Sequence, residues 1–195
     1  SDFSKAQLYY EKALSEYDAK NMNINSSVNY INLVNCLANN FNSLKLFDKS
    51  SEYYEKGVKL ALAFKENSLY NLNLVNSYAI ILGNSGNSKK GEELLTLILR
   101  KAEVDSVTRP QLYYEVLYNY AEYLREYNLD IKKSLENFSR CMAYLEKNPD
   151  DHMLKSKIYT GYALSLSVSG EESRALGLVQ KLISSSYSID TSKTK

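Results

Sequence analysis

A chain of 195 residues, 44% hydrophobic and 24% charged, is long enough to bury a sizeable core, as one domain or as an extended array. Its net charge of +1, with Lys and Arg scattered along the chain, gives no bulk attraction to nucleic acid or an anionic membrane. Seven glycines and two prolines are too few breakers for an all-β protein, and no apolar run approaches the roughly 20 residues that span a bilayer.

Taken in chain order, apolar periodicity predicts helices over 3–19, 26–42, 47–65, 68–83, 88–103, 110–127, 131–147, 151–168 and 171–186. The first carries YYEKAL, and the third repeats it as YYEKGV, 44 residues later. Behind that repetition lies a small–large–small template: Ala6, Tyr10, Ala13; Ser50, Tyr54, Gly57; Gly91, Leu95, Ile98; Ser134, Phe138, Cys141; and Ala175, Val179, Leu182. Successive copies lie 44, 41, 43 and 41 residues apart. A second template precedes the last four copies by 12 or 13 residues, marked by Ala38, Ala79, Ala121 and Ala163. Four residues before each marker stand Val34, Val75, Leu117 and Tyr159, and three after it Phe41, Leu82, Leu124 and Leu166, all on one helical face.

Each period therefore holds a first-type helix with a marker Ala and a second-type helix with the small–large–small stripe. Turns are visible at NSLKLFDKS, GNSGNS, EYNLD and VSGEE. Pro110 suits a first helical turn, and KNPDD reads as a stop followed by a cap. Small residues at the contacts let helix axes approach, and the large residue fills the adjoining groove. One hairpin cannot bury its apolar face alone, whereas stacked hairpins can.

This pattern resembles the tetratricopeptide repeat (TPR) family, whose signature is large–small on the first helix and small–large–small on the second. The likeness covers nearly the whole chain. The period of 41 to 44 exceeds the usual 34, and the first-helix Trp and closing Pro are mostly missing. Long-period relatives of this kind include kinesin light chains and bacterial peptide-receptor and regulator sensor domains. The resemblance implies an all-α, right-handed αα superhelix of about four and a half helix pairs. It forms a single solenoid over 1–186: a half repeat at 1–20, full repeats at 26–65, 68–103, 110–147 and 151–186, and a flexible polar tail at 187–195. The first helix lacks a first-type partner, which reads as excision from a longer solenoid or as a solitary capping helix.

In the family, first-type helices line the concave groove. Offsets of −6, −3, +1 and +4 from the marker place Asn32, Asn35, Asn39 and Asn42 there, followed by Asn73, Asn76, Ile80 and Gly83. Next come Glu115, Tyr118, Glu122 and Arg125, then Lys157, Thr160, Leu164 and Ser167. Asn32 with Asn73, and Asn35 with Asn76, are expected to stack as a ladder whose amides grip the backbone of an extended peptide. The competing reading is a solvated face in an Asn-rich chain. The first two full repeats supply no groove Lys or Arg, which argues against a carboxylate clamp for a chaperone tail. Tyr10, Tyr54, Tyr78, Tyr120 and Tyr162 read as core residues with hydroxyls reaching outward.

Catalytic chemistry has no foothold in the sequence: HExxH, CxxC and P-loop patterns are missing. His152 reads as a capping or exposed residue, and Cys36 and Cys141 as buried thiols. The N-terminal SDFSKAQ has no signal-peptide pattern and so says nothing about export. The expectation is a non-enzymatic module that binds a protein or extended peptide, without metal or cofactor, nucleic acid or membrane insertion. A homodimer through the solenoid ends remains open. The alternatives are a ligand-sensing regulatory domain of a bacterial signalling or transcription regulator, or a structural scaffold segment. The expected compartment is the cytoplasm, with a periplasmic or extracytoplasmic sensor left open.

Overall fold

The structure, a computed structural model, describes residues 2–19, 28–63 and 69–192, and every regular element among them is an α-helix. They run α1 Asp2–Ala19, α2 Val28–Ser43, α3 Phe47–Ala63, α4 Leu69–Asn84, α5 Ser88–Val104, α6 Pro110–Glu126, α7 Ile131–Lys147, α8 His152–Val168 and α9 Glu172–Ser192. The parts of the predicted repeats and tail that fall on 1, 20–27, 64–68 and 193–195 lie outside the described residues. α9 continues to Ser192 instead of stopping at 186. The reason is local: 178–192 contains neither Gly nor Pro, so nothing there ends a helix. No described helix is long and apolar enough to cross a membrane.

Contacts group the chain into two compact units, residues up to Leu112 and residues from Tyr113 on, with the division in the first turn of α6. In the first unit α1 packs on α2, α2 on α3, α3 on α4 and α4 on α5, and α2 also touches α4. Asn40, buried on α2, donates through Nδ2 to the Phe3 carbonyl at 2.9 Å and so ties α1 to the array. In the second unit α7 packs on α8 and α8 on α9.

The turns inside the hairpins are built alike. Lys45, Gly86, Asn128 and Gly170 each stand seven residues after a marker Ala, with φ of 60°, 83°, 49° and 82°. In each turn the left-handed residue's N–H donates to the carbonyl three residues back, and the next N–H to the carbonyl five residues back. Lys45 to Asn42 and Leu46 to Phe41, at 3.0 and 2.9 Å, form the first such pair. Gly170 to Ser167 and Glu171 to Leu166, at 3.0 and 2.8 Å, form the last. Glycine takes this conformation without steric cost, while Lys45 and Asn128 hold it against the Cβ clash. Asp130 caps α7 by accepting from the Lys133 N–H at 2.9 Å, and Asp151 caps α8 by accepting from the Leu154 N–H at 3.1 Å. His152 is thus exposed at the helix start, and the capping falls to its neighbour.

The marker alanines are buried, as are Val34, Val75 and Leu117 and the four apolar residues that follow the markers; Tyr159 is half-buried. The small–large–small stripe is buried on α3, α5 and α7. On α3 a Cβ added at Gly57 would stand 2.5 Å from Leu74 Cδ1, so a larger residue here needs the Leu74 side chain to move. Ser50 Oγ donates to the Ala38 carbonyl at 2.9 Å, and Ser134 Oγ to the Ala121 carbonyl at 2.8 Å. Each of these bonds locks a second-type helix to its marker. Lys101 on α5 donates to the Ala61 and Leu62 carbonyls, both at 3.0 Å, and so serves the C-terminal end of α3 with a cation. On α9 the stripe departs from expectation. Val179 is 41% exposed where a groove-filling residue was expected, because no described helix lies over it.

Candidate functional site

The predicted groove residues fall into two groups, one in each unit. In the first unit Asn32, Asn35, Asn42 and Asn76 are half-buried, and Asn39 and Asn73 are exposed. Equal offsets on adjacent α2 and α4 give the Asn rows matching positions. Asn39 is partly committed to the scaffold. Its Nδ2 donates to Asn35 Oδ1 at 3.1 Å, and its Oδ1 accepts from the Tyr54 hydroxyl at 2.6 Å. Tyr54 stacks on Tyr78 with ring centroids 5.2 Å apart, and the Tyr78 hydroxyl donates to Glu55 at 3.1 Å. Burial, followed by the Glu55 charge and hydrogen bond, pushes the Tyr78 phenol up to about 12. Burial alone pushes Tyr54 up as well. Both rings are core members, as are Tyr120 and Tyr162, whereas Tyr10 is half-buried.

In the second unit the groove positions carry charge, and the structure pairs it. Glu115 and Lys157, both at offset −6, meet at 3.2 Å across α6 and α8. Equal offsets on neighbouring first-type helices are therefore brought together here, the relation expected of the Asn rows. Glu122 and Arg125 pair at 2.9 Å within α6, and Arg125 also meets Glu126 at 3.3 Å. The Glu122 side chain lies against Gly161 of α8: a Cβ there would overlap Glu122 Oε1 and stand 2.7 Å from the Phe138 ring. Only a residue without a side chain lets that carboxylate lie so close to α8. Burial first, then the Glu122 charge, pushes the Tyr118 phenol up to about 12. These charges serve one another more than they face solvent, and Arg125 is only 14% exposed.

The cysteines divide. Cys141 is fully buried, its thiol pushed up to about 12 by burial, and Cys36 is half-buried where a buried thiol was expected. Both are free thiols, and burial that favours the protonated form makes Cys141 a poor nucleophile.

A groove of about 460 Å³ opens over α8 and α9. Tyr159, Thr160, Ala163, Leu164 and Ser167 line it from α8, and Glu172, Ala175, Leu176, Val179 and Leu182 from α9. Thr160, Leu164 and Ser167 are groove positions by offset. The α9 half was not foreseen as a site, because its residues carry the core stripe. Leu164 is 47% and Leu176 58% exposed, so the floor is apolar and open to solvent.

No protein-family model matches the chain, and no curated protein matches it either. Among solved structures, the crystal structure of BtubC (BKLC) from P. vanneervenii is similar at a TM-score of 0.72 and 16% identity, over 97% of this chain and 75% of that one. That likeness supports the fold: an all-α helical-repeat solenoid of TPR-like type.

Proposed function

We propose that this chain is a non-catalytic binding module that takes a protein segment or peptide on the groove face of its first-type helices. The open apolar groove over α8 and α9 carries the reading. Three of its α8 residues, Thr160, Leu164 and Ser167, hold the offsets that face the groove in TPR-like arrays. An exposed contiguous apolar surface is the ordinary mark of an interaction site. The Glu115–Lys157 pair supports register-matched rows along such a face. Asn32, Asn35, Asn73 and Asn76 then contribute amides suited to peptide backbone, while Asn39 mainly braces Tyr54.

A peptide-library pull-down with the wild-type chain and with Leu164→Glu, Asn35→Ala and Asn76→Ala tests the proposal. Leu164→Glu is expected to reduce capture most, since it places a charge in an apolar floor. Capture undiminished by all three substitutions would sink the proposal.

A further inference from the structure

Polar groups on the groove stripe of α6 are left with nothing to bond. Glu122 Oε1 and Arg125 Nε are covered by protein, yet neither has a hydrogen-bond partner among the described residues. Tyr118, one turn before Glu122, is half-buried, and its hydroxyl bonds to no described residue. The Glu122 and Arg125 charges both act on the Tyr118 phenol, so these groups stand together. The ion pair itself closes through other atoms, with Arg125 Nη2 donating to Glu122 Oε2 at 2.9 Å. An acceptor and a donor are thereby left over, one on each partner. Buried polar groups are bonded in nearly all native structures, and an unmet one is a cost that calls for a cause. Gly161 of α8 makes the room, since a Cβ there would overlap the carboxylate.

Resting on the binding-module reading above, we propose that this part of α6 and α8 seats an uncharged amide, the side chain of an Asn or Gln in a bound peptide segment. An amide carries a donor N–H and an acceptor carbonyl side by side, the complement of an unpaired acceptor and an unpaired donor. Its N–H meets Glu122 Oε1, its oxygen accepts from Arg125 Nε, and the Tyr118 hydroxyl serves either half. The charges nearby are already matched, Glu122 by Arg125 at 2.9 Å and Glu115 by Lys157 at 3.2 Å. A ligand carboxylate or ammonium would have to break one of these pairs and strand its partner, whereas an amide joins without doing so. The covered atoms are reached when the carboxylate turns off Gly161. Glu122 has a way out, since its side chain is 27% exposed and Thr160, beside Gly161, stands in solvent. An oxygen that holds no hydrogen bond in its tucked position forfeits none by turning.

Nuclear magnetic resonance of the whole chain tests this with small probes that share one backbone: the N-acetyl methylamides of glutamine, glutamate, lysine and alanine. The glutamine probe is expected to give saturable amide shifts around Tyr118, Glu122 and Gly161, with the isosteric glutamate probe about tenfold weaker or more. Tyr118→Phe, which keeps the ring and removes only the hydroxyl, is expected to weaken the glutamine probe roughly two- to tenfold, and Glu122→Ala roughly tenfold or more. Lys89→Ala, on α5 in the other unit, is expected to leave it unchanged, and circular dichroism checks that each variant stays helical. Equal binding of the alanine probe overturns the inference by assigning the contact to backbone amides. A preference for glutamate or lysine overturns it by showing that charge is read. Glutamine shifts that fall elsewhere, or none at all, overturn it too. The peptide-library pull-down separates this inference from the broader reading. Capture reduced by Leu164→Glu but untouched by Tyr118→Phe and Glu122→Ala overturns the amide seat alone, and capture of no peptide overturns both.

Discussion

Phe138 and Val179 hold the same place in successive hairpins of one unit, four residues after Ser134 and Ala175. Phe138 is fully buried and Val179 is 41% exposed. Both follow a marker-bearing helix, and the turns before α7 and α9 close with the same pair of backbone bonds. What differs is the neighbour. Phe138 has α8 over it, with Tyr162 stacked on its ring and Gly161 drawn in close. Val179 has solvent. A core position in a repeat protein is therefore a conditional assignment: the stripe makes a helix able to accept the next one, and only the next one makes it core.

The sharpest way to break the comparison is truncation at both places. Phe138→Ala is expected to cost about 3–5 kcal/mol, the range for a fully buried aromatic, and Val179→Ala less than about 0.5 kcal/mol. Urea unfolding followed by circular dichroism measures both. Equal losses would show that α9 is covered in solution. Because repeat arrays unfold in parts, amide hydrogen exchange on α7 and α8 locates the damage.

Serine bonds give the next contrast. Ser134 Oγ donates to Ala121 and lies 3.2 Å from Ser165 Oγ, both serines being buried. Ser134→Ala is expected to cost about 1–2 kcal/mol, since it strips a partner from buried polar groups. In the open hairpin the matching residue is already Ala175. The same urea titration reads the loss.

Glycine to alanine reverses sign between the two regions. At Gly161 the new methyl collides with Glu122 and the Phe138 ring, and overpacking of about 1–3 kcal/mol outweighs the helix-propensity gain. At Gly177, with open space around it, the same change is expected to stabilise by about 0.5–1 kcal/mol. Thermal unfolding of the two variants side by side checks the signs. A stabilising Gly161→Ala would mean that α8 stands farther from α6 and α7 than described.

The smallest effect concerns the turns, where the hairpins are alike in geometry but not in residue. Lys45 holds a φ of 60° that Gly170 holds at 82° without strain. Lys45→Gly is expected to stabilise by roughly 0.5 kcal/mol, relief of left-handed strain less the entropy of a freer unfolded chain. Gly170→Lys is expected to do the reverse. Paired melting curves test both.

Much of the architecture was legible because it rests on local rules. Periodicity placed the described helices to within a few residues except at the end of α9, and GNSGNS and VSGEE announced two of the four left-handed turns through Gly86 and Gly170. The other two were hidden, since Lys45 and Asn128 carry no such mark. The site was less legible. Offsets named Glu115 and Lys157 as groove residues but did not say that they pair. Offsets named Asn39 as a groove residue too, but did not say that its amide also braces Tyr54.

The sequence alone determined the period, the alternation of helix types and the register of small and large residues. All of these follow from side-chain size and spacing along one helix. Tertiary structure decided which stripes became core and which became surface, which charges met and where a groove remained. Burial belongs to pairs of elements, and no single helix records whether its partner is there.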